Sequence, residues 1–369
     1  MTPDDNRHMR HALNLAARGL GRVWPNPAVG CVIVKDGRVL GRGRTADGGR
    51  PHAETQALVG AGDAARGATA YVTLEPCSHI GETGPCANAL IAAGISRVVV
   101  AIKDPDPRVA GRGIATLTDA DVKVEVGCLA GKAADLQRGY LTRISLGRPS
   151  LALKLASTLD GRIATASGES RWITGKPARR AVHALRMNHD AVLIGARTAR
   201  ADDPDLTVRD LGADRQPVRI VASRHIRLPE ESRLFKTATN PPVWIVCGED
   251  AEASAAANQW RDVGANVLPV AADNGQISPT AMLAKLGQSG LTRVLCEGGG
   301  MLAASLLAAD LVDELIVFTA RKIIGAEGQP SIGPLGLADL GAAPTFELAE
   351  IRRTGNDVMQ RWERPQLAL

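Results

Sequence analysis

Residues 51–58 read PHAETQAL and residues 73–86 read TLEPCSHIGETGPC, and the architecture expected for the first half of the chain follows from these two stretches. His52, Cys77 and Cys86 provide three of the nitrogen and sulfur ligands that zinc prefers. A catalytic zinc site uses three protein ligands and leaves a fourth position open to water. Glu54 lies two residues after His52, in the first turn of a predicted helix, so its carboxylate could reach that water without being a ligand.

This pattern is typical of hydrolytic zinc sites in which an activated water attacks an amidine-like carbon and a glutamate carries the protons, as in nucleobase deamination. Two alternatives remain open. The cysteines could be ordinary buried thiols, because free cysteine packs well as a small hydrophobic residue. His79 could instead complete a structural zinc site, which needs a fourth protein ligand. A structural site would not explain Glu54 beside an open coordination position, so the catalytic interpretation is favoured.

The composition is that of a globular protein with two domains. The chain has 369 residues, more than one hydrophobic core usually serves, and 45% of them are hydrophobic. Its formal net charge of +5 suits an anionic partner, but there is no dense run of Lys and Arg, so a phosphorylated small molecule explains the charge as well as nucleic acid does. Only ten residues are Phe, Trp or Tyr, which argues against a nucleic-acid-binding surface.

The N-terminus and the cysteine content indicate the compartment. The first ten residues, MTPDDNRHMR, are charged and lack the apolar run of a secretory signal. No uninterrupted apolar stretch is long enough to cross a bilayer. Six cysteines in a chain of this length do not form a disulfide framework. We therefore expect a cytoplasmic protein.

Strand and helix patterns alternate along the first half. Residues 6–20 have apolar positions at helical spacing, and residues 28–43 predict two strands joined by an Asp-Gly turn. Helices are predicted over residues 52–62 and 85–94, each followed by a strand. A further strand at 122–127 precedes a helix that starts near Lys132. This alternation predicts an α/β sandwich with helices on both faces of the sheet.

The pattern pauses at Gly147 and Pro149 and restarts with the strand LALKLAST, so we predict domains at residues 1–147 and 148–369. The second half alternates again, with an irregular but ordered loop at 203–216. Strands are predicted over residues 190–195, 218–223, 242–247, 292–298 and 313–320, and helices over residues 179–189 and 301–309.

Several uncommon motifs follow one another in order: PNPAVGCVIVKDG, PHAE, TLEPCSH, KDPDPRVAGRG and LKLASTLDGRIA. Together they resemble the bifunctional riboflavin-biosynthesis deaminase/reductase family over nearly the whole chain. The resemblance implies a cytidine-deaminase-like α/β/α sandwich followed by a dihydrofolate-reductase-like α/β domain. The first domain would hydrolyse the 2-amino group of a diaminopyrimidinone that carries ribosylamine 5-phosphate. Asn26 would help to hold the pyrimidine, and Ser78, His79 and Asp104 would line the pocket.

The first domain departs from the family pattern in three places. Glu82 replaces a Lys or Arg that suits the substrate phosphate, Gly84 replaces a proline, and Asp106 replaces the usual Asn. The lost cation could be supplied by Arg44, Arg50 or Arg112. A reductase with an impaired deaminase domain is therefore one alternative function. A nucleic-acid base deaminase is the other, and the scarcity of aromatic residues argues against it. Asn26 also has an alternative role, because Asn-Pro is a turn signal and its side chain could simply brace the loop.

The second domain contains a glycine-rich turn. Residues 293–307, RVLCEGGGMLAASLL, predict a strand, three glycines and a helix, whose N-terminus could receive a pyrophosphate. No G-x-G-x-x-G is present, so a Rossmann fold is not predicted, and a simple tight connection is the alternative. The stretches 153–175 and 190–209 resemble the reductase half of the same family. That half uses NADPH to transfer hydride to C1′ of the ring-opened ribose and gives a ribitylamine.

The resemblance also assigns residues in this second domain. The implied NADPH contacts are Ala156, Trp172, Thr198, Asp202, Ser223, Gly299, Gly300, Met301, Leu302, Ala303, Ala304 and Ser305. The implied substrate contacts are Ser170, Arg186, Leu206, Arg209 and Glu297. The two arginines can each present a planar fork to a phosphate.

Lys154 and Asp202 are candidates for proton handling near C1′. Lys154 could instead pair structurally within its strand, and Asp202 could only cap a loop. Trp172 could be a core residue, although its Gly/Ser-rich surroundings favour a cofactor wall. Arg197 and Arg200 would favour the 2′-phosphate of NADPH over NADH. The family resemblance also suggests a dimer through the reductase half.

Overall fold

The computed structural model describes residues 1–78, 84–273 and 275–364. The chain divides into two compact units, Met1–Gly147 and Arg148–Leu369. No helix in the described part of the chain has both the length and the apolar character needed to cross a membrane.

The first unit is built on one mixed sheet. Its strands are β1 (Gly30–Lys35), β2 (Arg38–Arg44), β3 (Thr69–Val72), β4 (Arg97–Val100) and β5 (Lys123–Val126). They lie in the order β2-β1-β3-β4-β5. The strand β1 is antiparallel to both neighbours, whereas β3, β4 and β5 are parallel. Asp36 and Gly37 both have positive φ, of 51° and 74°, which is the turn chemistry predicted for the β1–β2 hairpin.

Helices cover both faces of this sheet. They are α1 (Pro3–Ala17), α2 (Ala53–Ala61), α3 (Cys86–Ala92), α4 (Arg112–Asp119) and α5 (Ala130–Leu146), with short 3-10 turns at Asp47–Gly49 and Gly62–Ala65. Successive residues of β4 point to opposite sides: Val98 and Val100 pack in one apolar cluster, and Val99 packs in the other. The prediction of an α/β/α sandwich is therefore confirmed, although α1 begins and ends three residues earlier than its apolar spacing predicted.

Two glycines of β2 let α2 lie close to the sheet. A Cβ atom on Gly41 would overlap the carbonyl oxygen of Ala57, and one on Gly43 would overlap that of Ala53. Because a helix and a strand can approach this closely only where no side chain intervenes, these glycines set the depth at which α2 packs.

The second unit contains a larger sheet. The strands of this unit are β6 (Ser150–Ser157), β7 (Arg162–Ala164), β8 (Ala191–Gly195), β9 (Val218–Ala222), β10 (Val243–Gly248), β11 (Asn266–Val270), β12 (Ala272–Asp273), β13 (Gln276–Ile277), β14 (Arg293–Cys296), β15 (Glu314–Thr319), β16 (Gln329–Pro330), β17 (Glu347–Thr354) and β18 (Asp357–Glu363). The main sheet has the order β11-β10-β9-β8-β14-β6-β15-β18-β17. It is parallel from β11 to β15, and β18 and β17 add an antiparallel edge.

The helices of this unit are α6 (Lys176–Met187), α7 (Ala196–Asp202), α8 (Arg233–Lys236), α9 (Ala255–Asp262), α10 (Pro279–Gln288) and α11 (Gly300–Ala308), with 3-10 turns at Glu249–Ala251 and Leu340–Ala342. The central strands are almost continuous apolar runs, as expected for parallel strands covered on both faces. In a parallel sheet the carboxyl ends of the strands share one edge, and ligands bind there. Thr198 and Glu297 follow β8 and β14 at that edge.

Candidate zinc and cofactor sites

The three predicted metal ligands come from three local structures. His52 is the residue that precedes the first turn of α2, and Cys86 is the first residue of α3. Cys77 lies in the segment between β3 and α3. The approach of α2 to the sheet and the start of α3 therefore bring together residues that are up to 34 positions apart in the chain.

The donor atoms of this cluster suit zinc. The Nδ1 atom of His52 lies 3.6 Å from the Sγ atom of Cys77 and 3.4 Å from that of Cys86. The possible ligand atoms of all three residues lie within 4.8 Å of one another. One imidazole and two thiols in this arrangement match a three-ligand zinc site with one open position.

Hydrogen bonds to Cys77 favour its thiolate. The Cys86 thiol, followed by the His52 imidazole and the backbone N–H of Cys86, lowers the pKa of Cys77 to about 4 against the opposing effect of burial. The N–H of Cys86 donates to Cys77 Sγ over 3.3 Å, so the N-terminus of α3 is directed at this sulfur atom. A thiolate is the form of cysteine that binds a metal, so these hydrogen bonds favour the form of Cys77 that can act as a ligand.

Glu54 lies in the first turn of α2 and is buried, with 3% of its surface exposed. Burial and the charge of Cys77 raise the pKa of Glu54 to about 7. A carboxyl group poised near neutrality can both accept and return a proton, which is the property required of a general acid–base residue. Glu54 stands two residues after His52 in the same helical turn.

Asp104 is held in a buried polar network. The Tyr140 hydroxyl of α5 donates to both Asp104 carboxylate oxygens, over 3.1 and 3.2 Å, and Glu75 accepts from the Asp104 N–H over 3.2 Å. Burial raises the pKa of Asp104 to about 6. Tyr140 and Glu75 were not assigned from the sequence. Glu75 stands in the TLEPC motif, but its partners are 29 or more residues away and carry no local pattern.

The surroundings of the other residues predicted for this pocket are as follows. Asn26 packs its side chain against Gly49, three residues before His52. Ser78 is half-buried beside Cys77. His79 and Glu82 lie outside the described residues. Of the arginines considered for the phosphate, Arg44 donates to Asp47 over 2.8 Å, and Arg112 donates to the carbonyl of Pro107.

In the second unit, the glycine-rich turn begins α11. Gly299 precedes the first helical residue, and its N–H donates to Thr198 Oγ1 over 3.2 Å. The first intrahelical donor is Ala303, which donates to Gly299 over 3.1 Å, so the N–H groups of Gly300 to Leu302 are those left for a ligand at the helix N-terminus. The side chains of Ala303 and Ala304 are buried, whereas Met301 and Ser305 are exposed.

Gly300 also touches a second segment. A Cβ atom there would lie 2.8 Å from the carbonyl oxygen of Pro330, and the N–H of Gly333 donates to the Gly300 carbonyl over 2.9 Å. The contacts with Pro330 and Gly333 therefore leave no room for a side chain at Gly300. The lack of a side chain would also let a cofactor approach the backbone. Glycine here is consistent with both the binding interpretation and the tight-connection alternative.

Lys154, Arg186 and Glu297 form one charged cluster. The Arg186 Nε and Nη2 atoms donate to the two carboxylate oxygens of Glu297 over 2.6 and 3.1 Å. The Lys154 Nζ atom lies 3.9 Å from Glu297 Oε2. Burial opposes ionisation, but the charges of Arg186 and Lys154 lower the pKa of Glu297 to about 2. Burial lowers the pKa of Lys154 from its ordinary value.

Arg186 also reaches the loop after α7. Its Nη1 atom donates to the carbonyl oxygen of Thr207 over 2.8 Å, between the predicted substrate residues Leu206 and Arg209. Leu206 is buried, and Arg209 is exposed with its guanidinium 3.3 Å from Asp205. The structure thus connects predicted substrate residues from α6, from this loop and from the end of β14.

Trp172 is 62% exposed, so it is not a core residue. The Arg179 guanidinium lies 4.5 Å from the centre of its ring, and Lys322 Nζ donates to its carbonyl oxygen over 2.8 Å. Asp202 is the last residue of α7 and is exposed, and its carbonyl accepts from Arg171 over 2.8 Å. An exposed tryptophan held by neighbouring cations is available as the wall of a binding site.

The remaining assigned residues lie on the same unit. Ala156 is half-buried on β6, Ser223 is buried immediately after β9, and Ser170 is half-buried between β7 and α6. Arg197 and Arg200 are both exposed on α7. Arg197 Nη2 lies 3.5 Å from Gln329 Oε1, and Arg200 donates to the Arg227 carbonyl over 2.8 Å.

Comparison with known proteins identifies the family of each half of the chain. The model of the cytidine and deoxycytidylate deaminase zinc-binding region matches residues 2–102, and the model of the RibD C-terminal domain matches residues 149–360. The riboflavin biosynthesis protein RibD of Escherichia coli K12 is 43% identical over 359 residues, covering 96% of this chain and 98% of that protein. This chain belongs to the RibD family. It is a bifunctional enzyme of riboflavin biosynthesis, with a zinc-dependent deaminase region and an NADPH-dependent reductase region.

Solved structures of this family have the same fold as this chain. An Acinetobacter baumannii RibD structure superposes with a TM-score of 0.89 at 38% identity, covering 98% of this chain and 99% of that one. A deaminase/reductase from Thermotoga maritima, named for diaminohydroxyphosphoribosylaminopyrimidine and 5-amino-6-(5-phosphoribosylamino)uracil, superposes with a TM-score of 0.85 at 34% identity and covers 98% and 99% of the two chains. The predicted fold class, with both of its parts, is confirmed.

Proposed function

We propose that residues 1–147 deaminate 2,5-diamino-6-ribosylamino-4(3H)-pyrimidinone 5′-phosphate and that residues 148–369 then reduce the ribosyl group of the product to a ribityl group. The observation that carries the first step is the buried Glu54 beside the His52, Cys77 and Cys86 cluster. The observation that supports the second is the cluster of Lys154, Arg186 and Glu297 in the unit that carries the glycine-rich turn.

In the deaminase, His52, Cys77 and Cys86 would hold zinc. Zinc, when bound, supplies Lewis acidity that makes water a nucleophile near neutral pH. Glu54 takes a proton on its carboxylate oxygen and later delivers a proton to the departing 2-amino nitrogen. Its pKa of about 7 suits both halves of that transfer. Burial of Glu54 keeps bulk water from competing for the proton.

Asn26, Ser78, His79 and Asp104 are assigned to the pyrimidine pocket. The Tyr140 hydroxyl donates to the Asp104 carboxylate and Glu75 accepts from the Asp104 N–H, so both the side chain and the backbone of Asp104 are held before substrate arrives. A preorganised acceptor of this kind selects the donor groups of an aminopyrimidine. The pyrimidine would then lie between the zinc ligands and the loop that begins at Asp104.

In the reductase, we assign Thr198 and the start of α11 to the cofactor phosphates. The N–H groups of Gly300 to Leu302 would receive the pyrophosphate, and Trp172 would form a wall of the site. The remaining assigned cofactor residues are Ala156, Asp202, Ser223, Ala303, Ala304 and Ser305. NADPH, when bound, supplies the hydride that C1′ of the opened sugar accepts.

Arg186, Arg209, Leu206, Ser170 and Glu297 are assigned to the substrate of this second step. The Lys154 ammonium would donate a proton to the nitrogen attached to C1′ when that carbon is reduced, giving a ribitylamine. Burial lowers the pKa of Lys154, which makes proton donation easier, while Glu297 keeps the cation in place. Asp202 is the second candidate for proton handling, because its charge also acts on Lys154.

We also propose a cytoplasmic location and a homodimer formed through the second unit. The absence of a dense cationic run supports a small phosphorylated substrate rather than nucleic acid. Sedimentation of the purified protein at several concentrations tests the dimer. A monomer at all concentrations would contradict it.

The test of the two-step proposal follows NADPH absorbance in purified, zinc-loaded protein. With the diaminopyrimidinone substrate, NADPH should be consumed by the wild type and not by Glu54→Gln, a nearly isosteric variant that cannot accept the proton. Pre-deaminated substrate should restore consumption in Glu54→Gln. Consumption by neither protein with either substrate would overturn the reductase assignment. Consumption by the wild type only with pre-deaminated substrate would mean that the deaminase is impaired.

A further inference from the structure

Glu75 is a buried carboxylate that has no part in the proposed proton transfer. It lies two residues before Cys77 and has 4% of its surface exposed. Its position inside the TLEPC motif would suggest an acid–base role beside the metal. Its hydrogen bonds indicate another role.

Both carboxylate oxygens of Glu75 accept backbone N–H groups from one distant segment. Oε2 accepts from Asp104 over 3.2 Å and from Gly111 over 3.1 Å, and Oε1 accepts from Ile114 over 3.2 Å. These donors belong to the loop that runs from Asp104 to the start of α4. Three backbone N–H groups from this one segment therefore meet most of the hydrogen-bonding capacity of the carboxylate.

The same contact completes the N-terminus of α4. Gly111 precedes this helix and has no side chain to cap it, so the helix depends on an acceptor from elsewhere. Glu75 receives the N–H of Gly111 and that of Ile114, the third helical residue, and its charge favours the positive end of the helix. The two segments also pack directly, because a Cβ atom on Gly113 would overlap the carbonyl oxygen of Pro76.

We infer that Glu75 is a positioning residue that joins the zinc-ligand segment to the substrate loop and thereby sets the distance between Cys77 and Asp104. This inference rests on the proposed role of Asp104 in binding the pyrimidine. The match to the deaminase zinc-binding region covers residues 2–102. The loop from Asp104 to Ile114 lies beyond that match, so Glu75 links the matched region to a segment outside it. The residue acts through Asp104 and does not touch the substrate.

The test replaces Glu75 with Gln in the full-length, zinc-loaded chain. One oxygen then becomes an NH₂ group that faces backbone donors, so the loop should be released. We expect KM for the diaminopyrimidinone substrate to rise about tenfold or more, with kcat much less affected. Bound zinc per chain and NADPH consumption with pre-deaminated substrate should be unchanged. Glu125→Gln, a carboxylate at the sheet edge, is the matched control and should leave KM unchanged.

Gly111→Ala provides an independent variant in case Glu75→Gln does not fold. Gly111 has a φ of 85°, so alanine strains the same helix start while Glu75 stays intact. It should raise KM in the same way and retain zinc. Loss of zinc in either variant, or an unchanged KM in a folded Glu75→Gln protein, would overturn the inference. If the wild type itself does not deaminate the substrate, the proposed function has failed, which is a different result.

Discussion

Arg186 and Glu297 form a two-bond ion pair, although 111 positions separate them in the chain. Only 12% of the arginine side chain and 9% of the glutamate side chain are exposed. The pair joins α6 to the end of β14, and Lys154 adds a second cation 3.9 Å from Glu297 Oε2. These residues are at once structural partners and candidate substrate contacts.

Removing both partners of this pair should cost less stability than the sum of the two single removals. Glu297→Gln leaves Arg186 and Lys154 buried without a counter-charge, and the free energy of unfolding should fall by about 3 to 5 kcal/mol. Arg186→Gln should be similarly costly. The double variant should be more stable than the sum of the two losses predicts. Urea unfolding of all four proteins measures this coupling, and purely additive losses would contradict it.

Trp172 should matter for cofactor binding and not for stability. Because the side chain is largely exposed, Trp172→Ala should change the free energy of unfolding by less than about 0.5 kcal/mol. Loss of a stacking surface should weaken NADPH binding about tenfold. Titration of NADPH by fluorescence or calorimetry measures the affinity. Leu340→Ala, at another exposed apolar residue, is the control and should change neither quantity; equal NADPH affinity in Trp172→Ala and wild type would refute the assignment.

Arg197 and Arg200 should favour NADPH over NADH. Their positive charges lie on α7, the helix that includes Thr198, so each would be near the phosphates of a cofactor bound there. Arg197→Gln should raise KM for NADPH about tenfold and leave KM for NADH nearly unchanged. Arg200→Gln should have a smaller effect, because its guanidinium already donates to a carbonyl. Arg352→Gln, on the distant strand β17, serves as the control. A wild-type KM ratio near one would contradict the prediction.

His189 should make stability depend on pH. It is buried, with Nδ1 2.7 Å from the Leu185 carbonyl oxygen, and burial lowers its pKa to about 3. Below about pH 6.5 the unfolded chain binds a proton at this residue and the folded chain does not, so acid favours unfolding. The contribution is zero above that pH and grows by up to about 1.4 kcal/mol per pH unit as the pH falls toward the folded pKa.

The His189→Gln variant lacks this titrating group, so comparing its stability with that of the wild type at different pH values measures the contribution of His189. Four of the five tryptophans lie in the second unit, so their fluorescence reports its unfolding in urea. Between pH 7.5 and pH 5.5 the wild type should lose more stability than the variant. Equal losses in the two proteins would show that His189 does not titrate differently in the folded and unfolded states.

The metal cluster and its glutamate were predictable from sequence because zinc requires few residue types and the motifs that carry them are short. The alternation of strands and helices was predictable because the spacing of apolar residues within each short segment indicates its secondary structure. The Arg186–Glu297 pair was different, since both residues were assigned separately to substrate and nothing local indicated that they bond to each other. Glu75, Tyr140 and Thr207 were not found, because their roles depend on partners brought close only by the fold.

The hairpin of β17 and β18 was also not predicted. Most side chains of β17 are exposed, so this strand lacks the alternating apolar pattern that identifies a half-buried strand. Its pairing with β18 and the attachment of β18 to β15 define it instead. Edge elements of this kind are recognised from their neighbours rather than from their own composition.

The glycines under α2 have a consequence for how this enzyme tolerates mutation. Gly41 and Gly43 contribute no atom to the metal cluster, yet the depth of α2 decides where His52 stands relative to the two cysteines. A single added methyl group would lift the helix and move the imidazole away from both sulfurs. Metal retention should therefore be lost in some variants far from any ligand atom, and a library screened only at the coordinating residues would overlook them.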